Sequence, residues 1–415
     1  MTRGQPDAVN LEDSGPLSMP PGPPDLGGQD EQRVTWLELF FDLIFVVAFD
    51  QLAKRLGDTP SGANIGIFLL LFTAVWWAWA GNTTFAARHG NGGRTYRWGT
   101  LLQLLTLGIL ALTERGDLDQ TGRVFALAFA ANRLVLVGMH LLLLRRDPGS
   151  AAFTRPTAAG YGVAALIWLG SALLTGPAQL VAWGAALTTD LLTPLLIRRR
   201  HGAALPHQEH LPERVGLLQI IALGGIVTEV VTGGRQRDLT WEALAPALFA
   251  LLAALALWRL YFDQARALPV LHAHRAGRVG AFLTWMYGHL PFTLGIVMLG
   301  VGLGHGISDT ENARDAVNRQ LVAWPLAGAL LTLALLRWNA LRLTARRSRL
   351  DRSLLALGTG VLLAAALAFS GLGTFPLHGA VAALTLGLAL IVATDPATRR
   401  LGRLEEHLGG SGSTL

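Results

Sequence analysis

The chain has 415 residues, 51% of them hydrophobic and only 15% charged, with a formal net charge of +6 and a mean hydropathy of +0.41. A soluble chain of this size carries roughly a quarter charged residues and rarely repeats apolar runs of about 18 or more, so soluble, collagen-like and fully disordered classes are excluded. With no cysteine, disulfides, thiolate metal sites and cysteine nucleophiles are excluded too. The composition is that of an all-α polytopic membrane bundle.

Residues 1–32 contain six prolines among Gly, Asp and Gln, with no apolar stretch. This reads as a disordered cytoplasmic tail, not a signal peptide, which would need a hydrophobic core segment. Twelve spans are then expected, at 34–54, 63–81, 96–113, 122–144, 157–175 and 177–197, followed by 214–232, 241–262, 279–304, 320–341, 353–371 and 375–393. Gly176-Pro177 and the 371–375 stretch join their neighbours as tight helical hairpins. The expected organisation is a first six-helix half (33–197), a basic linker (198–213), a second half (214–395) and a cytoplasmic tail (396–415).

Of the 34 Lys and Arg residues, 23 fall in the two tails and the even-numbered loops, and 8 in the odd-numbered loops. The positive-inside rule then places both termini in the cytoplasm. The basic pI of about 10.5 reflects topology, not nucleic-acid binding, and Arg198-Arg199-Arg200 and Arg346-Arg347 read as cytoplasmic stops touching anionic lipid. A repeat is visible near an offset of 181 residues. Arg33-Val34 with Leu37-Glu38-Leu39 matches Arg214-Val215 with Leu218-Gln219-Ile220, Trp77 meets Trp258, and Arg97-x-Gly99 meets Arg278-x-Gly280. Halves of six spans share one orientation, so this implies a parallel 6+6 duplication, an arrangement in which transporters place the site between the halves near the midplane.

The remaining three arginines, Arg133, Arg259 and Arg337, lie inside spans. In the first span Glu38 and Asp42 are four apart and share a helical face. Each ionised carboxylate at bilayer depth costs about 2.5–3.5 kcal/mol, and two together require a cation or a proton between them. Arg133, near mid-span, is the expected counter-charge, to pair with Glu38, Asp42, Asp190 or Glu229. Arg259 and Arg337 are expected to snorkel to the interface. Asp190 precedes Pro194, where a kink is expected, and Glu229 follows Gly224-Gly225. His289, beside Tyr287 and Pro291, sits where a freed carbonyl could support a proton relay. Asp50 is a further supporting carboxylate, and Trp76-Trp77-x-Trp79 reads as an interfacial aromatic belt. His207, His210, His272 and His274 form a loose histidine set, not a metal site. There is no Walker A, H-E-x-x-H or G-x-S-x-G motif, and no loop is long enough for a soluble catalytic domain. No cofactor is expected.

The run Arg33-Val34-x-x-Leu37-Glu38-Leu-Phe40-Phe41-Asp42-Leu-Ile-Phe45-Val46 resembles the opening signature of the bacterial low temperature requirement A (LtrA) family. Further matches are Trp76-Trp77-Ala78-Trp79 with Phe85, Arg133, His210-x-x-Glu213-Arg214-x-Gly216-Leu217, Trp258-x-x-Tyr261-Phe262-Asp263 and Tyr287-x-His289-Leu290-Pro291. The family typically carries Glu after the Ala-Leu-Gly of the seventh span, whereas this chain has Gly225, with Glu229 one turn later. The resemblance implies a multi-pass bacterial inner-membrane protein linked to growth in the cold, and supplies no substrate. The residues point first to a secondary transporter or ion- or proton-coupled permease. Glu38, Asp42 and Asp190 would carry protons or cations, Arg133 would be the counter-charge and His289 the relay, acting on an unknown small solute or ion among membrane lipids. The basic Gly/Asp/Arg signature of the major facilitator superfamily is missing from Gly81–Tyr96. The alternatives are an intramembrane enzyme acting on lipid through Glu38, Asp42 and His289, or a non-catalytic stress-adaptation protein.

Overall fold

A computed structural model describes residues 33–114, 116–235, 240–308, 315–344 and 351–409. The Pro-rich tail 1–32, Arg346-Arg347 and the last six residues lie outside them. All regular structure among the described residues is helical. In chain order the helices are α1 (Trp36–Asp58), α2 (Gly62–His89), α3 (Arg94–Thr113), α4 (Leu118–Leu144), α5 (Ala151–Ser171), α6 (Gly176–Leu196) and α7 (His210–Gly234). They continue with α8 (Trp241–Gln264), α9 (Leu268–Ala276), α10 (Val279–Ser308), α11 (Asp315–Leu341), α12 (Arg352–Leu367), α13 (Thr374–Thr394) and α14 (Pro396–Gly409). Each of the twelve expected spans coincides with a helix. The short α9 and α14 are additions that their polar, basic sequences did not announce. Seven of the helical segments, 62–89, 118–144, 210–234, 241–276, 279–308, 316–341 and 374–394, are long and apolar enough to cross a membrane.

The tight hairpins follow from backbone freedom. Gly176 opens α6 at φ 57° and Gly371 turns the α12–α13 connection at φ 68°, a left-handed region that a side chain disfavours. Large apolar side chains such as Leu43, Leu112, Leu166, Leu173, Leu362 and Leu390 remain outside the bundle. An apolar exterior on this scale suits hydrocarbon, where helices satisfy their own backbone groups.

Helices α1–α6 and α7–α13 without α9 pack in a like order. In the first, α3 packs on α4, α4 on α5 and α5 on α6, with α1 against α3 and α2 against α6. In the second, α10 packs on α11, α11 on α12 and α12 on α13, with α7 against α10 and α8 against α13. Between the halves, α1 and α2 meet α7 and α10.

The connections segregate to two ends. At one end Asn91 donates to the Arg33 carbonyl, the His207 N–H to Ala87, and Arg88 to Ala204. At the same end His274 meets the Pro206 carbonyl, and the Ala267 N–H donates to Glu405. At the other end Arg55 reaches the Glu114 and Gly116 carbonyls, and Arg319 reaches that of Leu372. Even-numbered connections and tails thus touch one another, and so do odd-numbered ones, as alternating helices require.

Candidate functional site: three buried ion networks

The first network begins as a helix cap. Thr35-x-x-Glu38 forms a capping box on α1. The Glu38 N–H donates to the Thr35 hydroxyl at 3.3 Å, and Glu38 Oε2 accepts from the Thr35 N–H at 2.8 Å and its hydroxyl at 3.0 Å. This satisfies donors that a helix start leaves open. Asn91 adds a bond to the same oxygen at 2.8 Å. Oε1 faces α7, lying 2.9 Å from His210 Nε2 and 2.8 Å from Arg214 Nη1. His210 and Arg214 are one turn apart, so both reach across from one face.

Asp42, a turn deeper, takes the rest of the guanidinium. Arg214 Nη2 donates to Oδ1 at 2.6 Å and Nε to Oδ2 at 3.1 Å, while Trp79 Nε1 donates to Oδ1 at 2.9 Å. Glu38, Arg214 and His210 are fully buried. The cation needed between the two carboxylates is therefore Arg214, supplied by the opposite half. This corrects the expectation that Arg133 neutralises them. Arg214 offers a planar fork, which fits two carboxylates where a point charge would not. The tryptophans are corrected too. Trp76, Trp77 and Trp79 face the interior, and Trp76 Nε1 donates to the Thr293 hydroxyl, itself bonded to Gln219.

The second network holds the end of the bundle where α11, α12 and α13 meet. Arg337 donates to Asp351 through Nε (2.9 and 3.1 Å) and Nη2 (2.7 Å). It also reaches Asp395 at 3.3 Å, Gln264 at 2.6 Å and Thr398 at 3.1 Å. Arg337 is thus fully buried and saturated, not snorkelling as expected, because Asp351 and Asp395 cap its two sides. Burial acts to raise the Asp395 pKa, but bonds from Ser353 and the Ala397 N–H, with the Arg337 charge, hold it below the usual carboxylate range. Arg259 behaves as expected, its side chain 53% exposed and paired with Asp263 a turn away.

The third network is different in kind. Arg133 and Asp190 are both fully buried, and Arg133 Nε lies 3.2 Å from Asp190 Oδ2. No guanidinium nitrogen and neither carboxylate oxygen makes a hydrogen bond among the described residues. The guanidinium lies 4.9 Å from the Phe129 ring centre and 5.7 Å from that of Tyr161. Pro194 falls in the last turn of α6, so no mid-helix kink follows Asp190.

The remaining expected site residues disperse. Glu229 lies near the α1 charges Asp50, Lys54 and Asp58, away from Arg133, and Asp50 pairs with Lys54 at 2.5 Å. His289 Nδ1 is held by the Trp285 carbonyl at 2.7 Å, and its ring lies edge-on to Trp285 and Tyr261. None of these contacts joins it to Glu38 or Asp42, so the three do not form one acid–base centre. Pro291 sits inside α10 without ending it, and the Tyr287 hydroxyl donates to the Leu191 carbonyl. A Cβ at Gly225 would meet nothing within 4 Å, so the position has room for a side chain. Among the described residues no group of three His or acidic side chains could hold a metal ion. His201, in the connection after α6, accepts from Arg88 at Nδ1 and meets the Pro194 carbonyl at Nε2. Burial, reinforced by the Arg88 charge, pushes its pKa down to about 3.

Comparisons with known proteins agree with the signature. Residues 33–393 match the family described as bacterial low temperature requirement A protein (LtrA). An uncharacterized protein of Rhizobium meliloti (strain 1021) is 30% identical over 291 residues, which cover 66% of this chain and 69% of that protein. No solved structure matches.

Proposed function

The chain belongs to the bacterial low temperature requirement A family, and from that premise we propose that it is an inner-membrane transport protein whose mobile charge pair is Arg133–Asp190. The observation that carries this reading is the contrast among the three networks. Arg337 is bonded through every guanidinium nitrogen, and Arg214 makes two bonds to Asp42 besides its 2.8 Å contact with Glu38, the multiple partners that buried pairs need to offset desolvation. Arg133 and Asp190 meet by one contact of 3.2 Å, and their other three polar atoms have no hydrogen-bond partner among the described residues. Arg133 lies roughly 22 Å from the start of α4 at 1.5 Å per residue, near the middle of the helix. Intramembrane ionisable groups are expensive, and those left under-coordinated mark ion or solute pathways. Protonation of Asp190, or a solute on Arg133, would exchange one partner for another without breaking the two networks that hold the bundle.

The reading includes twelve spans with both termini cytoplasmic, since the basic loops and tails gather at one end. It also includes a parallel duplication, supported by the like packing of α1–α6 and α7–α13 without α9. The Glu38–Asp42–Arg214 cluster then ties the first helix of one half to the first of the other, near the cytoplasmic end. Its charges fasten the halves and do not carry the proton.

Reconstituting the purified full chain in proteoliposomes tests the reading, with an internal pH-sensitive dye and a panel of organic and inorganic solutes. A solute-dependent pH change abolished by Asp190→Asn supports it. Solute flux that persists unaltered in Asp190→Asn and Arg133→Gln, each still folded, would remove the pair from the mechanism. No flux for any solute would remove the transport reading.

A further inference from the structure

We infer that the solute is an anion, admitted through an arginine-lined vestibule that Tyr287 and Leu283 separate from an inner cavity. This deepens the transport reading and rests on it for the word solute. The charge selectivity itself stands on the geometry.

An open pocket of about 1000 Å³ lies where the ends of α6, α10 and α11 meet, at the end that gathers the basic connections. Among the described residues its charged lining is Arg198, Arg278 and Arg342, one from each region, with no carboxylate. Arg342 is held in place by Asn339 and by the Trp338 ring at 4.1 Å. The other walls are largely apolar, including Leu195, Ala281 and Leu343. Cations of one sign over low-dielectric walls focus the field and concentrate counter-ions.

A second, more enclosed cavity of about 40 Å³ lies deeper, between α2, α4, α5, α6 and α10. Leu283 and Tyr287 line both chambers. Tyr287 is fixed there by its hydrogen bond to Leu191 and by its ring against Trp77. The inner lining includes Arg88, Thr84, His140 and Tyr161, again without a carboxylate. Gly81 belongs to that lining, and a Cβ there would lie 3.0 Å from Arg133 Nη1. The route from the vestibule therefore leads towards the under-coordinated guanidinium, passing cations and neutral donors only. A cation would meet repulsion from Arg198, Arg278, Arg342 and Arg88 before it reached Asp190, whereas an anion finds an arginine at both ends.

The absence of cysteine makes the native chain a clean background for thiol labelling. Gly280→Cys places a thiol on the vestibule wall, where a Cβ meets nothing within 4 Å. Its reaction rates with sulfonatoethyl (anionic) and trimethylammonioethyl (cationic) methanethiosulfonate are measured on detergent-purified full chain. Each rate is normalised to the same reagent with 2-mercaptoethanol. The anionic reagent should be favoured about tenfold, within the range for focused fields. Adding Arg198→Gln and Arg278→Gln should bring the ratio near one, and inorganic phosphate should slow labelling only when the arginines are present. Thr84→Cys, beyond Tyr287, should react more slowly than Gly280→Cys. Gly62→Cys, at the opposite end, reports the ratio without the vestibule. A Gly280→Cys ratio equal to that of Gly62→Cys, or unchanged by the arginine substitutions, overturns the anion assignment. Equal rates at Thr84→Cys and Gly280→Cys overturn the constriction. Because labelling needs no flux, anion selectivity without transport would condemn the transport reading alone, and proton-coupled flux without anion preference would condemn this inference alone.

Discussion

Arg214→Gln removes the cation that two fully or almost fully buried carboxylates share, and its cost can be worked from the structure. Arg214 lies 2.8 Å from Glu38 and bonds Asp42 at 2.6 and 3.1 Å. Without it, Glu38 and Asp42 face each other one helical turn apart, roughly 5–6 Å between Cβ atoms. At an effective dielectric constant of about 20 that repulsion is about 3 kcal/mol. Stranding a buried partner typically costs about 3–5 kcal/mol in all. The variant should therefore unfold several degrees lower in detergent, by tryptophan fluorescence, with loss of monodisperse protein. Asp42→Asn in the same background removes the repulsion at nearly constant shape and should restore about 3 kcal/mol of the loss. Arg199→Gln, at an exposed position, is the reference. An Arg214→Gln loss no greater than the reference, or no recovery on adding Asp42→Asn, would refute the claim that this cluster is a shared-cation lock.

Arg337→Ala should cost about 3–5 kcal/mol because it strands Asp351 and Asp395, whereas Arg259→Ala, whose own side chain is half exposed, should cost less; thermal unfolding of the two purified variants checks the order. His201 has a folded-state pKa of about 3 against 6.5 when unfolded. Between these values the unfolded chain binds the proton and the folded chain does not, so stability is full above about pH 6.5 and falls by up to about 1.4 kcal/mol per pH unit on acidification. A thermal-unfolding series from pH 8 to 5 should show that slope, flattened in His201→Gln. Reporter fusions after Asp58, Asp117 and Gly176 should read outside and those after Asn91, Gly149, Pro206 and Ala276 inside; a systematic reversal after any span would break the twelve-span count. Asp42→Asn alone should leave solute flux largely intact while lowering stability, whereas Asp190→Asn should abolish flux in protein that still folds; proteoliposome flux and unfolding measured on the same preparations separate the two.

The sequence by itself determined the helices. An apolar run of this length can satisfy its backbone only as a helix in hydrocarbon, and glycines such as Gly176 and Gly371 mark the turns, so all twelve expected segments were legible. So was the family, because its signature is a contiguous string around Glu38 and Asp42. That Glu38 begins as a capping residue was also written in Thr35-x-x-Glu38, a signal of short range. Which charge meets which was not. Glu38 and Arg214 are 176 positions apart, and mid-span depth made Arg133 look like the partner when α4 in fact turns that face to α6. Arg337 looked like a snorkelling arginine because its two acids lie off its own helix, Asp351 14 positions on at the start of α12 and Asp395 58 positions on after α13. A spacing rule sees one helix face at a time. Multiply bonded locks, a singly contacted pair and an arginine-lined pocket are distinguished only by how faces from different helices come together.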